Sequence, residues 1–168
     1  MTVRGDIGAW GIGLGAALVL GGALAGQTVP AKAESPFTVL NGSWSGGGQI
    51  RFAGGNSEAL KCKAYYTPKD AGAGVGLSIR CASASSKIEL RANLVSQGGR
   101  VSGNWEERTF NAAGDVAGQV TGNRISLAIT GGGFSGTMSV ATTGSSQTVS
   151  ITTDGIGLKG VNISLSRG

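Results

Sequence analysis

Leu60-Lys61-Cys62-Lys63-Ala64-Tyr65-Tyr66 and Leu77-Ser78-Ile79-Arg80-Cys81-Ala82 read as the two arms of one antiparallel hairpin. With Cys62 set opposite Cys81, Ala64 faces Ile79 and Tyr66 faces Leu77, while Lys63 faces Arg80 on the other side. Successive side chains on a strand point to opposite faces, so this one register sorts both arms into an apolar and a polar face. The segment Thr67–Gly76 between them has the composition of a loop. The pattern predicts a β-hairpin stapled by a Cys62–Cys81 disulfide, with Thr67–Gly76 as an exposed contact loop.

The segments that follow use the same grammar. Ile88 to Leu94 and Val101 to Arg108 flank Gly98-Gly99, a type I′ turn signal. Centred there, the hairpin sets Arg91 opposite Glu106 and Glu89 opposite Arg108. Moving the turn back by one residue sets Glu89 against Glu106 and Lys87 against Arg108, and like charges directly opposite are destabilising. The favoured register turns Ile88, Leu90, Ala92, Leu94, Val101, Gly103 and Trp105 inward. Alternating segments then come in quick succession: Val116-Gly118-Val120, Ile125-Leu127-Ile129, Phe134-Gly136-Met138-Val140, Val149-Ile151 and Leu158 to Ser166. Turns rich in Gly, Asn, Ser and Asp separate them. Upstream, the lead-in Pro36–Leu40 precedes a first strand that Asn41-Gly42-Ser43-Trp44 opens and that continues to Phe52, where Gly46-Gly47-Gly48 predicts a bulge or a sharp coil.

The fold class is therefore all-β, an antiparallel up-and-down meander of about 8–10 strands. Such a sheet must dispose of its edges, and closure into a barrel does so. Hairpin connections without a long crossover, together with inward glycines that permit tight coiling, favour the closed barrel over the alternative, a β-sandwich.

Residues 1–33 read as a signal peptide. Arg4 precedes a long uncharged run through Leu18, Val19, Leu20 and Leu24, Pro30 breaks it, and Ala31-Lys32-Ala33 is an A-x-A cleavage site before Glu34. Residues 34–168 then form a single barrel domain, periplasmic or secreted, or anchored to the inner membrane if the segment is retained. Two cysteines in an exported domain favour a disulfide. The net charge of +5 is spread along the chain without a dense run, which argues against nucleic acid as a partner. Aromatic residues make up only 5% of the chain, too few for the two girdles of an outer-membrane barrel.

Gly42-Ser43-Trp44 resembles the G-x-W of the calycin barrels, namely lipocalins, fatty-acid-binding proteins and avidin-like proteins. In those families the tryptophan packs near an arginine from the far end of the domain and shuts the base. The resemblance implies that role for Trp44 and Arg167, and a barrel that holds a small apolar ligand. The other lipocalin motifs and the usual C-terminal helix are missing. The chain as a whole looks like small exported proteins of unknown function from alphaproteobacteria, which implies a compartment and no activity.

The chain contains no histidine, which excludes Ser-His-Asp and Cys-His catalysis and, with only two cysteines, argues against a metal site. No cofactor and no enzymatic activity are expected. Gly155-Ile156-Gly157-Leu158-Lys159-Gly160 matches G-x-G-x-x-G but opens no helix, so it is not a nucleotide site. Trp44, Tyr66, Trp105, Phe134 and Met138 are candidate ligand-binding residues, and Glu107 shares the inward parity of Trp105 at the barrel mouth. Glu58 has inward parity too, at another strand end. Tyr65, Lys61, Lys63 and Arg80 form an outer patch suited to an anionic envelope component. Two functions follow: a binding module for a small hydrophobic ligand, or a structural or interaction protein of the cell envelope with a filled barrel. The volume of the interior separates them. Non-reducing peptide mapping is expected to recover Cys62 and Cys81 in one linked fragment; free thiols there would remove the main support for the register.

Overall fold

The computed structural model describes residues 35–168, so the expected signal peptide lies outside the described residues. Ten antiparallel strands follow one another: β1 (Gly42–Phe52), β2 (Ser57–Lys69), β3 (Gly74–Ala82), β4 (Lys87–Gln97), β5 (Arg100–Glu107), β6 (Ala112–Thr121), β7 (Arg124–Gly131), β8 (Phe134–Thr143), β9 (Ser146–Asp154) and β10 (Leu158–Arg167). Each pairs with its neighbours in sequence, and β1 also pairs with β10, which closes the sheet into a barrel. Among the described residues no strand edge is left free. Among the described residues no helix is long and apolar enough to cross a membrane.

The stapled hairpin has the expected register: Cys62 faces Cys81, Lys63 faces Arg80 and Tyr66 faces Leu77, and the cysteines are disulfide-bonded. The expected loop Thr67–Gly76 is corrected. The ladder continues through Thr67, Pro68 and Lys69 against Gly76, Val75 and Gly74, leaving a connection of only Asp70–Ala73. Pro68 stands beyond the first residue of β1, so it has a ladder neighbour on one side only, the edge-like position that proline tolerates. Around the second hairpin, Arg91 faces Glu106 and the turn falls on Gly98-Gly99, both at positive φ (58° and 79°), as a type I′ turn requires.

The glycine run in β1 does something other than bulge. Its ladders continue unbroken through Gly46, Gly47 and Gly48 on both sides, and the irregularity falls later, between Arg51 and Phe52. Gly46 and Gly48 share the inward parity of Trp44 and Ile50. A Cβ on Gly46 would lie 2.1 Å from the carbonyl oxygen of Ser164, and one on Gly48 would lie 1.8 Å from that of Asn162. Both obstructions are backbone atoms of β10, so these glycines permit the tight coil at the seam that closes the barrel. Inward Gly103, Gly114 and Gly118 make equally close approaches at other seams, each to a carbonyl of the neighbouring strand.

The two ends of the barrel differ. The turns β2–β3, β4–β5, β6–β7 and β8–β9 meet at one end, where the segment before β1 forms a short 3₁₀ turn (Thr38–Leu40). That segment buries Phe37 and Leu40 and plugs this end. The other end is a mouth ringed by the turns β1–β2, β3–β4, β5–β6, β7–β8 and β9–β10. Gly48→Ala is expected to destabilise the protein by more than about 2 kcal/mol, since the added methyl can be placed only by displacing β10. Gly54→Ala, in a turn where a Cβ meets nothing within 4 Å, should stay within about 0.5 kcal/mol of the parent. Urea unfolding of both variants checks this contrast.

Candidate functional site

The plugged end is held by polar bonds of buried aromatic side chains and by one arginine at its rim. Trp44 is 1% exposed, and its indole N–H donates to the carbonyl of Leu40 at 2.8 Å. The Arg167 guanidinium lies 4.5 Å from the centre of the Trp44 ring and donates to the carbonyls of Val39 and Asn41. One cation thus covers the tryptophan and ties the segment before β1 to the last strand. Tyr66 meets Trp44 edge to face, with ring centres 6.5 Å apart, and its hydroxyl donates to Gln147 Oε1 at 2.7 Å. Gln147 in turn reaches Thr142 Oγ1 at 3.4 Å. Burial pushes the Tyr66 hydroxyl well above its ordinary pKa, so it remains a donor. Trp44 and Tyr66, expected to line a pocket, therefore sit in the plug.

Beyond this plug the interior is hollow. A cavity of about 610 Å³ runs from mid-barrel to the mouth. Its wall includes Leu77, Leu90, Leu127, Ile129, Met138 and Ile151. Leu77, Leu90, Met138 and Ile151 face inward from the strands yet are only half-buried, because part of their surface lines empty space. Trp105 and Phe134 flank one side of the cavity with ring centres 5.4 Å apart. Phe110, from the β5–β6 turn, stands at the mouth with 67% of its surface exposed. Of the sequence candidates, the structure thus brings Trp105, Glu107, Phe134 and Met138 to the cavity.

The polar groups on this lining are engaged with the barrel itself. Trp105 Nε1 donates to the carbonyl of Thr130 at 3.2 Å, and the Thr153 hydroxyl donates to that of Leu158 at 2.6 Å. Glu107 is only 8% exposed. Its Oε1 accepts the backbone N–H of Glu89, and its Oε2 accepts that of Phe110, each at 2.7 Å. The carboxylate so binds the start of β4 to the β5–β6 turn. Burial acts to raise its pKa, but the backbone donors of Glu89, Phe110 and Thr109 together outweigh burial and hold it below the ordinary value. Glu58, the other inward carboxylate, accepts the N–H of Ser85 on a neighbouring turn and does not line the cavity.

The outer patch keeps its expected composition. Lys63 lies opposite Arg80 on β2 and β3, and Tyr65 is 47% exposed beside them. Arg80, Arg91 and Arg108 converge on Glu89, at 3.3, 3.7 and 4.0 Å. The G-x-G-x-x-G segment forms the β9–β10 turn and the start of β10.

Two features escaped the sequence. The plug residues Phe37 and Leu40 are signalled only by two apolar residues three apart in a short lead-in. Phe110 is signalled only by an aromatic within a turn.

No protein-family model and no curated protein matches the chain. Solved structures share its fold. Rv2717c from M. tuberculosis superposes with a TM-score of 0.62 at 15% identity, over 82% of this chain and 98% of that one. The S-type phycobiliprotein lyase CPES from Guillardia theta superposes with a TM-score of 0.53 at 16% identity, over 79% of this chain and 90% of that one. What the chain shares with these two structures is the fold, here a closed antiparallel barrel.

Because the folded pKa of Glu107 lies below its ordinary value of 4.5, its stabilisation is complete above that pH and is lost as the pH falls through the folded value. Glu107→Gln should lower the unfolding midpoint at neutral pH and narrow the gap from the parent in acid. Thermal unfolding of both proteins across the acid range measures this.

Proposed function

We propose that this protein is an exported, non-catalytic barrel that binds a small apolar ligand in its cavity. The observation that carries the reading is the apolar, one-ended hollow of about 610 Å³. Pockets for small molecules span about 300–1,000 Å³ and are mostly apolar. Each ligand methylene buried there contributes about 0.8 kcal/mol. A hollow interior also removes the premise of the filled-barrel alternative.

The non-catalytic part rests on the state of the lining. The Glu107 carboxylate, the Thr153 hydroxyl and the Trp105 indole are each committed to backbone partners, so acid–base work would require breaking bonds that hold the mouth together. Export is supported by the Cys62–Cys81 disulfide, which suits an oxidising compartment, and by the signal-like leader.

Native mass spectrometry of protein purified from its source tests the reading. The expected result is a chain beginning at Glu34 with its disulfide intact, carrying a hydrophobic ligand released chemically unchanged. A chain that carries nothing and takes up no apolar compound would overturn it.

A further inference from the structure

The charges around the cavity say which apolar molecules suit it. Glu107 is the one charged side chain among the described residues that line it. It closes β5 at the mouth, with its side chain turned inward and mostly buried. The N–H groups of Glu89 and Phe110 fix it in place and favour its charged form. No lysine or arginine is among the described lining residues. The cations around the mouth belong to the outside. Arg51, on the outward parity of β1, lays its guanidinium beside Gly160 of β10. Arg80, Arg91 and Arg108 converge on Glu89, and Lys159 lies 4.0 Å from Asp154. Lys87 pairs with Ala82 on the outward parity of β4. A ligand entering through the mouth therefore passes a fixed negative charge with no inward cation to offset it.

We propose that the cavity selects apolar ligands that carry no negative charge, uncharged or cationic at their polar end, through the Glu107 carboxylate at its mouth. Glu107 is held against the wall with little of its surface exposed, so its repulsion of a second carboxylate is screened less than that of a fully solvated one. A protonated amine gains from the same field, and a hydroxyl is not repelled by it. Deep in the cavity the lining is apolar, which suits an unbranched or polycyclic hydrocarbon body. Free fatty acids are therefore poor ligands.

This inference rests on the proposed binding function, and a matched series separates the two. Palmitic acid, cetyl alcohol and cetylamine share one unbranched carbon skeleton and differ in charge at neutral pH. Each is titrated into the full disulfide-bonded protein against a neutral fluorescent probe, N-phenyl-1-naphthylamine. The alcohol and the amine are expected to bind at least about tenfold more tightly than the acid. Glu107→Gln, checked for folding by circular dichroism, is expected to narrow that gap. Equal or tighter binding of the acid by the parent protein overturns the inference while leaving the binding function standing. An unchanged gap in a folded Glu107→Gln variant overturns the role given to Glu107. Binding of none of the three, nor of the probe, overturns the binding function itself. Should the variant fail to fold, the ratios in the parent protein decide the ligand class.

Discussion

The barrel closes because two side chains are missing. β1 and β10 can lie against each other in this geometry only while Gly46 and Gly48 have no Cβ, since an added atom would fall on the carbonyls of Ser164 and Asn162. Everything else depends on that seam. With it shut, no strand edge is left to pair with another chain, and the inward residues of all ten strands share one interior. Gly103, Gly114 and Gly118 extend the same device around the wall.

That interior is divided along its axis. At the plugged end Trp44, Phe37, Leu40 and Tyr66 fill the space, and Arg167 reaches over the tryptophan to carbonyls of the lead-in segment. Toward the mouth the wall is aliphatic and aromatic but not close-packed. Native cores are packed nearly as densely as organic crystals, so an unfilled apolar volume of this size forgoes dispersion contacts that a filled core would have. A ligand that fills it restores those contacts and stabilises the folded state, by an amount that grows with the logarithm of its concentration over its dissociation constant.

Much of this was legible from residue order. Pairing the cysteines gave the register of β2 and β3, and charge pairing gave that of β4 and β5. Gly-x-Trp with a late arginine pointed to the base latch that Trp44 and Arg167 form. Other features depend on quantities that parity does not carry. Parity says that Trp44, Tyr66 and Trp105 all face inward, but not at what height along the axis each one sits. Two lie in the plug and one beside the cavity for that reason. Whether small inward residues make a void depends on the sum of volumes around a closed ring. The β2–β3 connection read as long because Thr67, Pro68 and Gly76 have turn chemistry, although their backbones still find ladder partners. Parity turned Glu107 inward at the mouth, but did not say what it would bond to. Two backbone N–H groups, invisible in side-chain identity, hold it there.

The central claim is that the hollow toward the mouth is a binding site. Met138 lines it from β8 and is only half-buried, so a larger side chain there can occupy the cavity without displacing the plug. The most direct measurement is a titration of N-phenyl-1-naphthylamine into the parent protein and into Met138→Trp, with circular dichroism to confirm that both are folded. Saturable, one-to-one uptake by the parent and its loss in the folded variant is the predicted result. No saturable uptake by the parent, or equal uptake by both, would contradict the claim.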